Sequence, residues 1–248
     1  MLTQDQLQQY QEKGFIIFEN LFSEEEMDRV RTIIDGLDEE SERRLSEAGQ
    51  GFNNIPNQIN FTTGLNFMSP ELQQFTADDR FVELTTSILG PDIRLYWDQS
   101  VYKRPEAKRD FPWHQDNGYA PVEPMHYLTC WLALEDATLE NGCIWIQEGS
   151  HHKGFVEHVK TDIGWLCYYG DVMGTPVPLK KGSMVAFHSL LFHRSTPNRS
   201  QNTRKAYVIQ YAVEGSKDPK SGAVYKNGPI ISQDGKAVYE RFQSKEEV

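Results

Sequence analysis

The sequence has few cysteines, no long apolar segment and a deficit of positive charge. Its three cysteines, Cys130, Cys143 and Cys167, are odd in number and do not form a Cys-x-x-Cys motif. This spacing argues against a disulfide framework and against a zinc ribbon. No apolar run approaches the ~18–20 residues that a membrane-spanning helix needs. The first residues lack a basic segment followed by an apolar core, so we expect no secretory signal and a soluble, cytoplasmic protein.

Acidic residues outnumber basic ones, with 36 Asp and Glu against 25 Lys and Arg, and the formal net charge is −11. Clusters of Lys and Arg bind nucleic acids and anionic membranes, so the sequence predicts neither kind of partner. The densest basic segment, residues 103–109, either attracts an anionic substrate or forms a solvated loop. The oligomeric state is not predicted by the sequence.

The first third of the chain has the signals of amphipathic helices. Residues that begin predicted helices are Thr3, Ser23, Ser69 and Asp79. Gly14 ends the first helix, and the apolar run from Phe15 to Phe18 predicts a buried strand. The second helix is expected to end near Asp35-Gly36. The polar segment from Glu39 to Asn60 has no periodicity and is predicted to be a loop or lid.

The rest of the chain predicts short strands, because runs of β-branched and aromatic residues alternate with Gly, Pro, Asn and Asp. The runs are residues 93–97, 127–134, 143–147, 184–188 and 206–213. This pattern predicts an α+β fold in which a jelly-roll barrel carries the N-terminal helices on one face.

A histidine and a carboxylate lie two positions apart in Phe111-Pro112-Trp113-His114-Gln115-Asp116. In an extended backbone such residues point to the same side, so His114 and Asp116 can bind one metal ion together. His193 lies in a later run, from Met184 to His193, that predicts a strand. Two histidines and one carboxylate form the facial triad of non-haem Fe(II) oxygenases, and the same donors also suit catalytic zinc.

Two polar residues that follow His193 in the sequence could bind a carboxylate near the metal. Ser195 lies two residues further on, and Arg204 begins the next predicted strand. An arginine on a neighbouring strand can hold a carboxylate through a bidentate pair, with a hydroxyl sharing the same carboxylate. An open metal position beside such a clamp is what a 2-oxo acid needs.

Several motifs together resemble a known family. They are Trp113-His114-Gln115-Asp116, Trp131 to Ala137, Glu140-Asn141-Gly142-Cys143, Glu148-Gly149-Ser150-His151, Phe187-His188 and His193-Arg194-Ser195. Over about residues 96–211 the chain resembles the phytanoyl-CoA dioxygenase (phytanoyl-CoA hydroxylase) family of Fe(II)- and 2-oxoglutarate-dependent oxygenases. The resemblance implies the double-stranded β-helix, a cupin-like jelly roll. It implies one oxygenase domain over residues 1–248, with helical support in 1–92, the jelly-roll core and metal site in 93–213, and a C-terminal extension in 214–248.

The resemblance also implies roles for individual residues. His114, Asp116 and His193 match the iron ligands, while Arg204 and Ser195 match the residues that hold the distal carboxylate of 2-oxoglutarate. Further residues of the cosubstrate pocket are Gln99, Lys103, Phe111 and Trp131. Lys103 faces either 2-oxoglutarate or substrate. A solvated strand face is the alternative for Gln99 and Lys103, and plain core packing is an equal alternative for Phe111 and Trp131. No protein acid or base is implied.

The implied reaction is the hydroxylation, or a related oxidation, of a small molecule with O2. It is coupled to decarboxylation of 2-oxoglutarate to succinate and CO2. The halogenases of the family carry Ala or Gly at the carboxylate position, so Asp116 favours hydroxylation, desaturation or ring formation. An amino-acid-like compound or a secondary metabolite is the expected substrate. The alternatives are a non-catalytic module that binds 2-oxoglutarate and metal, and a zinc-dependent hydrolase on a cupin-like barrel.

Other histidines and aromatics have plainer interpretations. His151 and His152 are expected to be structural, and His188 lies five positions before His193, which disfavours it as a ligand. His126 is expected either at a pocket rim or on the surface. The segment from Trp165 to Tyr169 is flanked by glycines and predicts either a lid or a buried strand.

Overall fold

The structure is a computed structural model that describes residues 2–48 and 59–238. Its helices are α1 (Gln4–Lys13), α2 (Glu24–Ala48), α3 (Leu65–Met68), α4 (Pro70–Phe75) and α5 (Asp79–Leu89). Its strands are β1 (Phe15–Phe18), β2 (Ile59–Thr63), β3 (Ile93–Lys103), β4 (Phe111–His114), β5 (Leu128–Ala133), β6 (Ile144–Ile146), β7 (Val159–Thr161), β8 (Gly164–Leu166), β9 (Thr175–Val177), β10 (Met184–His188), β11 (His193–Ser195), β12 (Arg204–Val213), β13 (Ile230–Gln233) and β14 (Lys236–Ala237).

Two antiparallel sheets make the barrel. Among the described residues the major sheet has eight strands in the order β1-β10-β5-β12-β3-β13-β14, with β2 also paired to β3. The minor sheet has four strands in the order β4-β11-β6-β9, and β7 and β8 form a separate hairpin. A curled sheet facing a second, smaller sheet is the double-stranded β-helix, so the predicted fold is confirmed.

The major sheet is buried on both faces, and its side chains alternate between two cores. On β12, Ala206 and Val208 pack into the core between the sheets, whereas Tyr207 and Ile209 pack against the helices. Because successive residues of a strand point to opposite sides, one strand supplies both cores. The helices therefore support the outer face of the sheet and leave its inner face for the site.

Helix starts agree with the sequence predictions. Thr3 forms a capping box with Gln6, and Gly14 ends α1 in a left-handed conformation with φ of 84°. Ser69 accepts a hydrogen bond from the Leu72 N–H at the start of α4. The prediction for α5 was wrong by one residue, because Asp78 rather than Asp79 is the N-cap.

The predicted end of α2 near Asp35-Gly36 was wrong, because the helix continues to Ala48. Gly36 does not break it, since Ile33 and Leu37 on either side pack against the helix-side core. The predicted loop from Glu39 to Asn60 is thus helix up to residue 48 and strand from Ile59. The part of that segment from 49 to 58 lies outside the described residues.

A second correction concerns the run from Met184 to His193. It is not one strand but two, because β10 ends at His188 in the major sheet and β11 begins at His193 in the minor sheet. The turn between them moves the chain from one sheet to the other. His193 therefore faces the inside of the barrel from the opposite wall.

All three cysteines are free and buried. Burial raises the pKa of each thiol above its usual range, and that of Cys167 reaches about 12. In the part of the chain that the structure describes, no helix is long and apolar enough to span a bilayer.

Four histidines stack beneath α1. His126 and His188 lie parallel at 4.1 Å between ring centroids, and His151 and His152 form a second pair at 4.0 Å. The Tyr10 hydroxyl lies 3.0 Å from His126 Nε2. His151 and His152 donate to backbone carbonyls at the end of α1, so they have the structural role that the sequence predicted. His126 is half-buried in this cluster.

The two inner rings are held neutral. Burial, and after it the neighbouring His126, lowers the pKa of His188 to about 3. Burial, and after it His151, lowers the pKa of His126 to about 4. An unfolded histidine titrates near pH 6.5, so as the pH falls the unfolded chain binds protons before the folded one does. The free energy of unfolding should therefore decrease between about pH 6.5 and pH 4.

Replacing His188 with asparagine should flatten this acid dependence. In the wild type, His188 Nδ1 accepts a hydrogen bond from the Leu190 N–H at 3.0 Å. The asparagine side chain can accept the same hydrogen bond, but it does not titrate. The loss of unfolding free energy between pH 7.5 and pH 5.0, measured by urea denaturation, should be about 1–2 kcal/mol smaller than in the wild type. An equal loss of unfolding free energy in both proteins would contradict the inference that His188 is neutral and buried in the folded protein.

Candidate metal centre

Three side chains converge between the sheets. His114 ends β4 and pairs directly with His193 of β11, which places their imidazoles 4.0 Å apart between ring centroids. Asp116 follows β4 in a short 3-10 helix. Its Oδ1 lies 3.9 Å from His114 Nε2 and 3.5 Å from His193 Nε2. Among the described residues these three form the one group with ligand atoms close enough, within 4.8 Å of one another, to hold a metal ion.

Backbone carbonyls fix the orientation of both imidazoles. His114 Nδ1 lies 2.8 Å from the Pro112 carbonyl, and His193 Nδ1 lies 3.0 Å from that of Leu191. A carbonyl only accepts, so each Nδ1 carries the proton and each Nε2 presents its lone pair to the centre. Burial, and after it His193, lowers the pKa of His114 well below its usual range. The neutral ring is the form that binds metal.

The carboxylate is held from the opposite sheet. Asp116 Oδ2 accepts a short hydrogen bond from the Thr129 hydroxyl of β5 and another, at 3.0 Å, from Gln210 Nε2 of β12. The pairing of β12 with β3 shifts register directly after Gln210, and such a bulge redirects a side chain. With Oδ2 held in this way, Oδ1 is left for the metal, so the donor set of two nitrogens and one oxygen fits the predicted triad.

A narrow cavity of about 80 Å³ adjoins the three ligands. Residues that line it and that the sequence singled out are Gln99, Phe111, Trp131, Ser195 and Arg204. The structure thus brings every predicted pocket residue except Lys103 to one cavity wall. Phe111 stands at right angles to His114 with 5.0 Å between ring centroids, and Gln99 Oε1 accepts a hydrogen bond from Trp97 Nε1.

Arg204 is almost fully buried and has no acidic partner in the part of the chain that the structure describes. Its guanidinium lies 5.1 Å from the centre of the Trp131 ring, and one terminal nitrogen is 3.4 Å from the Val101 carbonyl. Its Nε has no hydrogen-bond partner among the described residues. Burial lowers the pKa of Arg204 to about 10, so the group remains charged at neutral pH. A buried, unpaired charge is costly, and an anionic ligand would relieve that cost.

Lys103 lies behind Ser195 and does not line the cavity. Its side chain is fully buried, and its Nζ donates to the Ser195 hydroxyl at 3.0 Å and to the Thr196 carbonyl. Burial, and after it the charge of Arg204, lowers the pKa of Lys103 to about 7. Because the Ser195 oxygen accepts from Lys103, its own proton is left to donate into the cavity.

The other basic residues of segment 103–109 face away from the site. Arg104 pairs with Glu42, and Arg109 pairs with Asp162. Lys108 donates to the carbonyl of Pro105. The segment is therefore bound to neighbouring loops and helices and does not form an anion-binding surface at the cavity.

The aromatic segment after Gly164 is part strand and part loop. β7 and β8 form a hairpin, and the Trp165 N–H donates to the Tyr119 hydroxyl at 2.7 Å. A Cβ at Gly164 would lie 2.6 Å from that hydroxyl and 3.1 Å from the Phe111 ring. Glycine at this position therefore allows the hairpin to cover two aromatic residues beside the metal ligands.

Sequence reasoning missed the residues that support the triad. Thr129 and Gln210 lie in strands whose composition is that of an ordinary core, and their partner Asp116 is distant in sequence. A polar residue inside an apolar strand was the available signal, because buried polar groups require partners.

Removing the Thr129 hydroxyl should weaken metal binding. Thr129→Val leaves Asp116 with one support, and loss of a residue that orients a ligand typically costs about 10–100-fold in metal affinity. Mn(II) binding followed by electron paramagnetic resonance would measure the change. Thr85→Val is a matched control, since Thr85 is equally buried but bonds to the Phe81 carbonyl within α5. Equal Mn(II) affinity in the Thr129 variant and the control would contradict the role of the Thr129 hydrogen bond.

Comparisons with known proteins agree with this architecture. A carbocyclase from nogalamycin biosynthesis, SnoK, described as non-haem and α-ketoglutarate-dependent, superposes with a TM-score of 0.75 and 19% identity, covering 93% of this chain and 97% of that one. A peroxisomal phytanoyl-CoA dioxygenase of Rattus norvegicus is 27% identical, over 89% of this chain and 70% of its own length.

A phytanoyl-CoA dioxygenase domain-containing protein 1 homolog of Dictyostelium discoideum is 25% identical, over 91% of this chain and 95% of its own length. The family model described as phytanoyl-CoA dioxygenase (PhyH) matches residues 10–206, which is most of the chain and includes the three converging ligands. The predicted resemblance is confirmed, and the protein belongs to the phytanoyl-CoA dioxygenase (PhyH) family.

Proposed function

We propose that the protein is a non-haem Fe(II)- and 2-oxoglutarate-dependent dioxygenase that hydroxylates, or otherwise oxidises, a small molecule. The observation that carries this proposal is the buried guanidinium of Arg204, which has no acidic partner among the residues described and lines the same cavity as His114, Asp116 and His193. A cosubstrate with a carboxylate at one end and a metal-binding 2-oxo acid at the other satisfies both features.

Each residue then has a distinct task. His114, Asp116 and His193 would hold the iron through two imidazole nitrogens and one carboxylate oxygen. Bound iron would activate O2, the oxidant, to which 2-oxoglutarate supplies two electrons as it is converted to succinate and CO2 and the substrate supplies the other two. The chemistry is that of the cofactor, while the protein contributes binding and orientation.

The clamp for the far carboxylate consists of Arg204 and Ser195. The guanidinium supplies the charge, and the Ser195 hydroxyl donates a further hydrogen bond because Lys103 occupies its oxygen. Lys103 thus orients Ser195 and does not contact the cosubstrate directly. Gln99 lines both this cavity and the larger one beside it, where it is a candidate donor to the carboxylate next to the metal.

Aromatic walls keep water from the cosubstrate. Trp131 packs over the guanidinium, and Phe111 packs against His114. In a site with little water an ion pair is stronger than on the surface, since the effective dielectric constant is lower. Both residues therefore serve as cavity walls as well as core.

The alternatives are less well supported. A zinc-dependent hydrolase would use the same three ligands but has no need of an unpaired arginine in the adjoining cavity. A non-catalytic module that binds 2-oxoglutarate would have no need of a second, larger cavity beside the ligands, yet His114 and Asp116 line one of about 410 Å³.

Anaerobic addition of Fe(II) and 2-oxoglutarate to the protein should produce a weak visible charge-transfer band. The band reports direct contact between the 2-oxo acid and the metal, so Fe(II) or 2-oxoglutarate alone should not produce it. Absorbance titration checks this expectation, and a folded, metal-loaded sample without the band would contradict the proposal.

Arg204→Leu should weaken 2-oxoglutarate binding by about 30-fold or more, because loss of one partner of a buried charged pair costs about 2–5 kcal/mol. Calorimetric titration of 2-oxoglutarate into the Mn(II)-loaded protein would measure the dissociation constant. The affinity for Mn(II) itself should change little, since Arg204 does not contact the metal ligands.

Arg194→Gln is the matched control for this experiment. Arg194 lines the same cavity, but it pairs with Asp110 at 3.0 Å and stacks between Trp113 and Trp145. The Arg194→Gln substitution should change 2-oxoglutarate affinity by less than about threefold, because Arg194 already pairs with Asp110 and is not left to bind the cosubstrate. The zinc-dependent hydrolase would be favoured if Arg204→Leu and Arg194→Gln changed 2-oxoglutarate affinity equally. It would also be favoured if Arg204→Leu converted its substrate without 2-oxoglutarate.

A further inference from the structure

A second and larger cavity of about 410 Å³ adjoins two of the metal ligands, His114 and Asp116. His114 and Asp116 line both cavities, so a molecule in the larger one would lie next to the metal. Its volume falls in the range of about 300–1,000 Å³ that is typical of small-molecule sites. If the proposed function holds, this cavity receives the substrate.

The wall of the larger cavity carries negative but no positive side-chain charge. Among the described residues that line it there is no Lys or Arg, whereas Asp218 joins Asp116 there. Hydrogen bonds from the Ser221 backbone, and after it the Ser221 hydroxyl, lower the pKa of Asp218, so it is ionised at neutral pH. The formal charges of Fe(II), 2-oxoglutarate, Asp116 and Arg204 cancel. An anionic substrate would meet repulsion without any compensating cation.

Aromatic rings make up much of the same wall. Tyr96 packs against Tyr127 at 5.0 Å between ring centroids and against Tyr225 at 4.9 Å in an edge-to-face arrangement. Trp97 and Tyr119 also line the cavity. Rigid aromatic surfaces pack well against the rings and flat faces of a ligand and lose little side-chain entropy in doing so.

One hydroxyl in this wall has no hydrogen-bond partner. Tyr225 donates to the Pro121 carbonyl or to Asp218, and Tyr96 to the Ala120 carbonyl, while Tyr119 accepts from a backbone N–H. Tyr127 is completely buried, and its hydroxyl meets no partner among the described residues. Burial raises the pKa of Tyr127 well above its usual range, so the hydroxyl remains a donor.

We propose that the larger cavity binds an uncharged, ring-containing substrate, and that the Tyr127 hydroxyl donates a hydrogen bond to an oxygen of that substrate. This inference rests on the proposed function for the identity of the cavity as the substrate site. It excludes small carboxylic acids, whose negative charge would lie inside the cavity, where the described wall offers no cation. Tyr127 is then a specificity-determining residue, because a buried donor discriminates against ligands that lack an acceptor.

Three bicyclic probes of similar shape separate charge from hydrogen bonding. They are 1-indanone, which has a carbonyl acceptor, indane, which has none, and indane-1-carboxylate, which is an anion. Ligand-observed NMR would measure the dissociation constants with full-length protein loaded with Zn(II) and 2-oxoglutarate, a diamagnetic and non-reacting form.

The variant to compare is Tyr127→Phe, with Tyr96→Phe as the control. We expect 1-indanone to bind at least about 10-fold more tightly than the carboxylate. Tyr127→Phe should weaken the binding of 1-indanone by about 5–20-fold, because one buried hydrogen bond is lost. The affinity for indane, which has no acceptor, should not change. Tyr96→Phe should keep the ratio of the two affinities within about twofold, since its hydroxyl already has a carbonyl partner.

The opposite results would overturn the proposal. These are a carboxylate that binds as tightly as the ketone, an unchanged ratio of the 1-indanone and indane affinities in Tyr127→Phe, or no binding of any probe. The Tyr127→Phe variant should fold, because the hydroxyl that it removes has no partner among the described residues. Its melting temperature should equal or exceed that of the wild type.

The two proposals can fail separately. Binding of 2-oxoglutarate is observed in the same NMR samples, and a parallel titration without metal and 2-oxoglutarate tests the cavity alone. If 2-oxoglutarate does not bind but the expected order of the probes holds, the proposed function fails and the inference about the cavity stands. If 2-oxoglutarate binds and the expected order is reversed, the inference fails and the proposed function stands.

Discussion

The site depends on one carboxylate that connects the two sheets. Asp116 belongs to the chain that leaves the minor sheet, yet its Oδ2 is held by Thr129 and Gln210 of the major sheet. The two histidines reach it as a directly paired couple of the minor sheet. The distance between the sheets thus sets the geometry of the ligands, and the packing of the barrel core transmits to the metal site any change in that distance.

The same barrel buries two basic side chains in its interior. Arg204 is charged and has no acidic partner among the described residues, while Lys103, whose pKa is lowered to about 7, bonds to Ser195 and to backbone carbonyls. Buried charges destabilise a fold unless they are paired, so this arrangement favours binding of an anion over stability of the empty protein. The helices on the outer face, with their continuous apolar core, provide the compensating burial.

Features that depend on neighbouring residues could be predicted from the sequence, whereas contacts between distant strands could not. Caps such as Thr3 and Gly14, and ligands such as His114 and Asp116, are recognisable because neighbours in the chain define them. The end of α2 was misjudged because Gly36 is tolerated where flanking apolar residues pack on the sheet. The supports of Asp116, and the isolated hydroxyl of Tyr127, depend on strands that meet only after folding. No periodicity in the chain records which strand faces which.

The burial of every thiol has a consequence for an enzyme of this class. A thiolate, not a thiol, is the form that oxidants attack, and the raised pKa of each cysteine keeps the sulfur protonated. Since none of the three side chains is exposed, oxygen-derived by-products formed near the metal would reach no reactive sulfur. If the protein is the oxygenase proposed above, it is in this respect suited to many rounds of aerobic turnover without damage to its own cysteines.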